Sequence, residues 1–394
     1  MAKTIDTIFD YLKWRKDLSF KDSPFNEVDA LILARFSYLP FDGLIGYEKS
    51  DITISEACKY LDSRKELVDF GIEGDSQLVI DLQDNHRFGD LKFGYYKNHI
   101  DADRVKQFSA VAIFIDERTT VISYRGTDNT IVGWKEDFLM TFSDTIPSQK
   151  EAREYLCDIA RIRHGRFILV GHSKGGNLAM YAASFSPSII KNRILKVYSF
   201  DGPGFGHQKI NSKRYLNSVD KIVSYIPQTS IIGVMLEHKE ETRVIHSDAF
   251  GPMQHDVYTW EVDVTKLKYL ESNTTYSSIM DMSFENYINS LTTTQRKEFV
   301  DILFDIVEAS GVATFKDLQA NFIKILPSVI ERISKLDKES SKALLEGIKV
   351  LFGSIISNTG EEFIKSLSNY GEGAKETITK IIAKFKSQEE NKSL

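Results

Sequence analysis

The chain is poor in cysteine. Only Cys58 and Cys157 occur in 394 residues, far apart and in no C-x-x-C or metal-ligand spacing, which argues against a disulfide framework and for a reducing compartment. A basic surplus is missing too: the formal net charge is −6, so the chain as a whole offers no electrostatic footprint for nucleic acid. Long apolar runs are lacking. The longest, such as Val350-Leu-Phe-Gly-Ser-Ile-Ile356, fall well short of the ~20 residues that span a bilayer. The first ten residues, from Met1 to Asp10, carry acidic side chains where a secretory signal has an uninterrupted apolar core. These absences predict a soluble, cytoplasmic protein. No fixed-period repeat or low-complexity tract stands out, and no motif calls for a cofactor or a metal.

What is present is a hydrophobic content of 42%, enough for one large α/β domain of ~250 residues with a helical appendage. Residues 4–68 are predicted helical: Phe25-Asn-Glu-Val-Asp-Ala-Leu-Ile-Leu-Ala-Arg35 places apolar residues at helical spacing, and residues 53–60 repeat the pattern with Thr53 or Ser55 as cap. Three runs rich in β-branched and aromatic residues follow at 91–96, 108–115 and 119–124, the last two joined by a hairpin turn at Asp116-Glu-Arg118. Strands then alternate with helices: helix 149–163, strand 166–170, helix 176–184, strand 194–200, a short helix near 212–217, and strands 221–226 and 242–246. Such alternation predicts right-handed crossovers and a mostly parallel, doubly wound sheet. From about residue 265 the β signals stop, and charged helical segments take over at 296–308, 320–335, 340–357 and 361–386. A boundary between 267 and 287 divides the chain into an α/β domain, 1–267, whose first 70 residues are helical, and a helical C-terminal extension, 268–394, with a frayed tail.

Gly171-His-Ser-Lys-Gly175 is the most informative stretch. It is a G-x-S-x-G between the apolar β-run Arg166-Phe-Ile-Leu-Val170 and the small-residue helical run Asn177-Leu-Ala-Met-Tyr-Ala-Ala183. A nucleophile elbow requires this context: the strand turns sharply into the helix, Ser173 takes a strained conformation with its hydroxyl outward, and Gly171 and Gly175 leave room. The competing reading is an ordinary glycine-rich turn with an incidental serine. A serine hydroxyl needs a histidine base and a carboxylate to fix the imidazole tautomer, and in α/β-hydrolases these follow in the order serine, acid, histidine. That leaves His207, His238, His246 and His255 as candidate bases. His246 falls within a predicted strand and His207 precedes the later strands, whereas His255 lies on a Gly/Pro loop past the last strand and is the expected base. For the acid, strand 194–200 runs directly into Asp201-Gly-Pro-Gly204, while the next strand ends in Pro227-Gln-Thr-Ser230 with no carboxylate. Asp201 is therefore the expected acid, with Asp220 and Asp256 behind it. Oxyanion donors are expected from the backbone N–H of Lys174 and from Thr127 in Ser123-Tyr-Arg-Gly-Thr-Asp128, with Arg125 anchoring that loop to a carboxylate such as Asp137.

Taken together, Tyr124-Arg-Gly-Thr127, Trp134-Lys-Glu-Asp137 and Gly171-His-Ser-Lys-Gly-Gly-Asn-Leu-Ala179 resemble the lipase class 3 pattern of an R-G-T oxyanion loop, a W-x-x-D segment and a G-H-S-x-G-G elbow. With Tyr225-Ile-Pro-Gln-Thr-Ser230 and Gln254-His-Asp256, residues 10–260 look like a bacterial family of uncharacterised α/β-hydrolases related to those lipases. The resemblance implies an α/β-hydrolase fold and roles for Ser173, Thr127 and His255. One departure concerns the acid: class 3 lipases carry it a strand later, and Asp201-Gly-Pro-Gly204 is instead similar to the acid position of pancreatic-type lipases.

The leading expectation is a carboxylic ester hydrolase acting on an acyl ester or lipid through an acyl-enzyme on Ser173. Thioester or acyl-amide cleavage would use the same machinery, and a degenerate hydrolase serving as a binding scaffold is the non-enzymatic alternative. In the C-terminal extension, Phe322, Ile325, Leu326, Val329, Ile330 and Ile333 form an apolar stripe at helical spacing, as do Phe299, Val300, Leu303, Ile306 and Val307. Packing against a neighbouring helix accounts for such stripes. Lys324, Arg332 and Lys335 beside the first also admit a lid or a peripheral membrane contact.

Overall fold

The computed structural model describes residues 5–67, 69–128, 130–140, 143, 145–228, 230, 232–249 and 251–270. The chain separates into two compact units, Met1–Asp128 with Val132–Asp281, and Asn129–Ile131 with Met282–Leu394. The first unit holds the sheet and its helices. The apolar stripes expected beyond residue 295, with Lys324, Arg332 and Lys335, lie outside the described residues.

The N-terminal segment forms α1 (Ile8–Arg15), α2 (Glu27–Phe36) and α3 (Ile54–Asp62), each opened by a reciprocal capping box: Thr7 with Asp10, Asn26 with Asp29, Thr53 with Glu56. Each box satisfies two backbone donors that the first turn would leave unpaired. Every residue of α2 is buried, so its three charged residues all need partners inside the protein. Two further helices, α4 (Glu73–Gln83) and α5 (His86–Gly89), precede the sheet.

Seven strands follow in one sheet: β1 (Lys92–Asp101), β2 (Lys106–Phe114), β3 (Thr119–Tyr124), β4 (Arg166–His172), β5 (Ile194–Phe200), β6 (Ile222–Pro227) and β7 (Glu241–Ile245). β1 runs past the expected residue 96, across a bulge between Gly94 and Lys97. The β1–β2 and β2–β3 pairs are antiparallel, and β3 through β7 are parallel. Between the strands lie α6 (Ile131–Met140), α7 (Pro147–Ile162), α8 (Lys174–Phe185), α9 (Ser188–Lys191), α10 (His207–Ile210) and α11 (Lys213–Leu216).

The strand order is that of the sequence and never reverses, which corrects the expectation of a doubly wound sheet, since double winding needs a reversal. Crossovers of one hand that always step the same way put their helices on one face. Accordingly α7, α8, α10 and α11 share a single core with Ala110, Ile122, Leu169 and Val197 of the strands. The other face is covered by α1 to α4, which pack on Val111, Val121, Val170 and Phe200. Neighbouring strand residues such as Val121 and Ile122, or Leu169 and Val170, fall into opposite cores, as the two-residue period of a strand demands. The result is a mostly parallel sheet with flanking helices, one layer supplied by the crossovers and the other by the N-terminal segment.

Candidate active site

β4 ends at His172 and α8 begins at Lys174, so Ser173 alone makes the reversal. It takes φ 60° and ψ −135°, a conformation that costs a residue bearing a side chain about 1–3 kcal/mol. Packing holds it there. The Ser173 N–H donates to the Phe200 carbonyl of β5 at 2.9 Å, and the Gly176 N–H donates to the Ser173 carbonyl at 2.9 Å. A Cβ on Gly171 would lie 2.1 Å from the Gly175 carbonyl oxygen, and one on Gly175 would lie 2.1 Å from that of Tyr124. Both contacts are with backbone, so neither position admits a side chain. Ser173 itself is partly exposed.

His255 ends a 3-10 turn, Gly251–His255, beyond β7. Its Nδ1 lies 2.6 Å from Oδ2 of Asp201, which is fully buried immediately after β5 at a positive φ of 50°. A carboxylate only accepts, so Nδ1 carries a proton, and Nε2 is the ring nitrogen not committed to Asp201. The other carboxylate oxygen accepts the Ser230 hydroxyl, which in turn takes the Gly233 N–H at 2.9 Å. A Cβ on Gly233 would come within 2.3 Å of Oδ1 of Asp201, so that glycine makes room for the carboxylate. The segment after β6, which lacks an acid, thus supplies a hydroxyl to the acid of the preceding strand. Asp220 is exposed in the turn that opens β6, at the opposite sheet edge, and the Asp256 carboxylate accepts the Tyr258 N–H at 3.1 Å. The other candidate histidines face glutamates: His207 with Glu237, His238 with Glu240 and His246 with Glu261. No hydrogen bond joins the Ser173 hydroxyl to the His255 ring among the described residues. In ligand-free sites such bonds are often long and tighten only with substrate.

His172 is the residue that sequence reasoning missed. It is buried, its ring centroid 4.4 Å from that of His255, and its Nε2 lies 2.9 Å from the His255 carbonyl oxygen. Because a carbonyl only accepts, Nε2 is the protonated nitrogen; the Tyr38 hydroxyl donates to the His172 carbonyl at 3.1 Å and lies 3.2 Å from the unprotonated Nδ1. Burial, with His255 and Arg35 nearby, holds its pKa well below the usual imidazole range, so the ring stays neutral. Tyr38 lies under the Arg35 guanidinium, 4.0 Å from the ring centroid. Arg35 pairs with Asp75, which also accepts the Tyr258 hydroxyl at 2.7 Å. The buried Trp260 donates from Nε1 to the Gln254 carbonyl at 2.7 Å. The loop bearing His255 is therefore tied to the N-terminal helices through both His172 and Tyr258. A signal was available: two residues beyond Val170, whose side chain faces α2, strand alternation sends the His172 side chain the same way.

Beneath the turn lies a buried polar cluster. Nζ of Lys174, 1% exposed, reaches Oε1 of Gln107 at 2.6 Å, the Gln107 carbonyl at 3.1 Å and Oε2 of the fully buried Glu136 at 3.1 Å. Glu136 also accepts the N–H groups of Gln107 and Ser148. The Thr127 hydroxyl donates to Asp137, whose other oxygen is 3.6 Å from Nζ of Lys174. Trp134-Lys-Glu-Asp137 thereby links the loop after β3 to the residue after Ser173. Arg125 takes no part in this: its guanidinium donates to Asn98 and Asp128 rather than to Asp137. Gly126 brings that loop against the turn, for a Cβ there would lie 2.6 Å from the His172 carbonyl oxygen and 3.0 Å from Cβ of Ser173. The N–H groups of Thr127 and Lys174 donate to no acceptor among the described residues.

The Mbeg1-like family model matches residues 82–305, more than half of the chain, and the chain belongs to that family, which is related to lipase class 3. No curated protein matches it in sequence. Three solved structures similar to it are a Rhizomucor miehei lipase propeptide complex (15% identity, TM-score 0.35, 55% of this chain and 66% of that one), the M37 lipase (14%, 0.32, 52% and 68%) and a fungal lipase–inhibitor complex (14%, 0.38, 65% and 89%). The chain spans just under two thirds of the Rhizomucor miehei lipase. Among the described residues, no helix is long and apolar enough to cross a membrane, and no group of His, Cys, Asp and Glu gathers as a metal site.

Proposed function

We propose that the chain is a serine hydrolase of carboxylic esters, lipase- or esterase-like, with an α/β-hydrolase arrangement of its site. Ser173 Oγ attacks the ester carbonyl carbon while Nε2 of His255 takes its proton, and Asp201 holds Nδ1–H and stabilises the imidazolium. The Thr127 and Lys174 N–H groups stabilise the oxyanion, where a single donor contributes about 3–4 kcal/mol. Collapse of the tetrahedral intermediate expels the alcohol, which receives the proton from His255 and leaves the acyl group on Ser173. Water, deprotonated by the same nitrogen, then releases the carboxylic acid. The observation that carries this reading is the 2.6 Å pair of His255 and Asp201 at the sheet edge where Ser173 takes its positive φ. Membership of a lipase-related family supports acyl esters and lipids over peptides.

Ser173→Ala is expected to abolish labelling by a fluorophosphonate probe and hydrolysis across a p-nitrophenyl series from acetate to palmitate, with the thermal midpoint nearly unchanged. Labelling that persists would assign the nucleophile elsewhere. Gly126→Ala pushes the oxyanion loop off the turn. It should lower kcat by about 10²-fold, the cost of displacing a reacting group by ~1 Å, without loss of far-ultraviolet circular dichroism. A rate equal to wild type would mean that this loop does not line the site.

A further inference from the structure

Far from Ser173, at the other end of the 12-residue α8 and roughly 18 Å along its axis, lies a cleft of about 730 Å³ between α7, the α8–α9 turn and α11. Its charges do not balance. Its two acids, Glu154 and Asp158, face Arg153 and Arg161. Lys213 and Arg214 make no ion pair among the described residues, and Lys191 has only the Arg214 carbonyl oxygen, at 2.8 Å. Burial and the neighbouring Arg214 and Lys221 cations hold the Lys191 ammonium below its ordinary pKa. On the same wall Ser186 is 7% exposed, and its buried hydroxyl has no hydrogen-bond partner. Phe185, stacked on Tyr181 at 4.6 Å, adds an apolar side.

Three cations with no counter-ion among the described residues, and a buried hydroxyl with no partner, leave the cleft with more donors than acceptors. We infer that the cleft binds a phosphate monoester. A phosphoryl group offers three oxygens and a double negative charge to lysine, arginine and serine donors together. The cleft is far larger than free phosphate requires and falls in the range of about 300–1,000 Å³ usual for organic ligands. The esterified group then lies toward Phe185. This site is independent of the ester hydrolysis proposed above.

The same chemistry arises in a soluble phosphate ester and in a lipid headgroup, so the test on the full chain has two arms. In the first, sn-glycerol 3-phosphate should raise the thermal midpoint saturably, while sodium chloride at matched ionic strength and glycerol should not. In the second, vesicles of phosphatidylcholine with phosphatidic acid should float the protein if the group belongs to a lipid. The Lys213→Gln/Arg214→Gln variant removes two exposed side chains that pair with nothing among the described residues, so it should fold normally. Its apparent affinity in whichever arm responds should fall by about tenfold or more. Ser186→Ala should weaken binding with no change of charge. Silence in both arms, an equal effect of chloride, or unchanged affinity in both variants overturns the inference.

Discussion

Asp201→Asn should lower kcat by ~10⁴-fold and leave KM and the thermal midpoint close to wild type, because the substitution reverses the tautomer of the base. The direction follows from Ser230. Its hydroxyl accepts the Gly233 N–H and donates its own proton to Oδ1 of Asp201, so an asparagine keeps its carbonyl oxygen toward Ser230 and turns its NH₂ toward His255. Nδ1 must then accept, the ring proton moves to Nε2, and the nitrogen facing substrate can no longer take a proton. Steady-state kinetics on a p-nitrophenyl ester, with Asp220→Asn in parallel, measures this. Asp220→Asn should be nearly silent. If it proves the damaging change, Asp201 is not the acid.

Lys174→Met should cost about 3–5 kcal/mol of stability, the usual result of removing one member of a fully buried ion pair, as read from chemical denaturation. The loss arises from Glu136, which is left fully buried with two backbone N–H donors and no cation. Glu136→Gln in the Lys174→Met background should recover part of it, since the uncompensated charge disappears while an amide oxygen still accepts one N–H. The Lys174 N–H survives in both variants, so ester turnover should fall less than for Gly126→Ala. If Lys174→Met is as stable as wild type, the cluster contributes nothing net.

Most strands are legible because enrichment in β-branched and aromatic residues is a local property, as in Thr119-Thr-Val-Ile-Ser-Tyr124. Ser173 was legible for the same reason, since its motif, its strand and its helix are contiguous. The helix α4 was not, because Gly71 and Gly74 weaken the helical pattern. The structure explains one of them: a Cβ on Gly74 would run into the Tyr258 ring at 2.1 Å, a constraint from 184 positions away that no local window contains. Alternating strands and helices fix the hand of each crossover but not whether the order reverses, so the winding is not legible in them. Arg125 is expected at a carboxylate such as Asp137, but its partners are the neighbouring Asp128 and Asn98, which comes to it from β1 and which no local window contains. His172 lay inside the very motif that drew attention to its neighbour, yet its role depends on Tyr38, Arg35 and Asp75, which only folding brings together.

The helical segment that opens the chain is no mere prefix to the sheet. Helix α2 seals one side of it, and Tyr38, Arg35 and Asp75 grip the loop on which His255 rides. Proteolytic clipping within the first eighty residues would strip that side and slacken the imidazole's mooring in a single event, so structural integrity and the proposed hydrolysis should be lost together and no trimmed chain should outlive its leading helices.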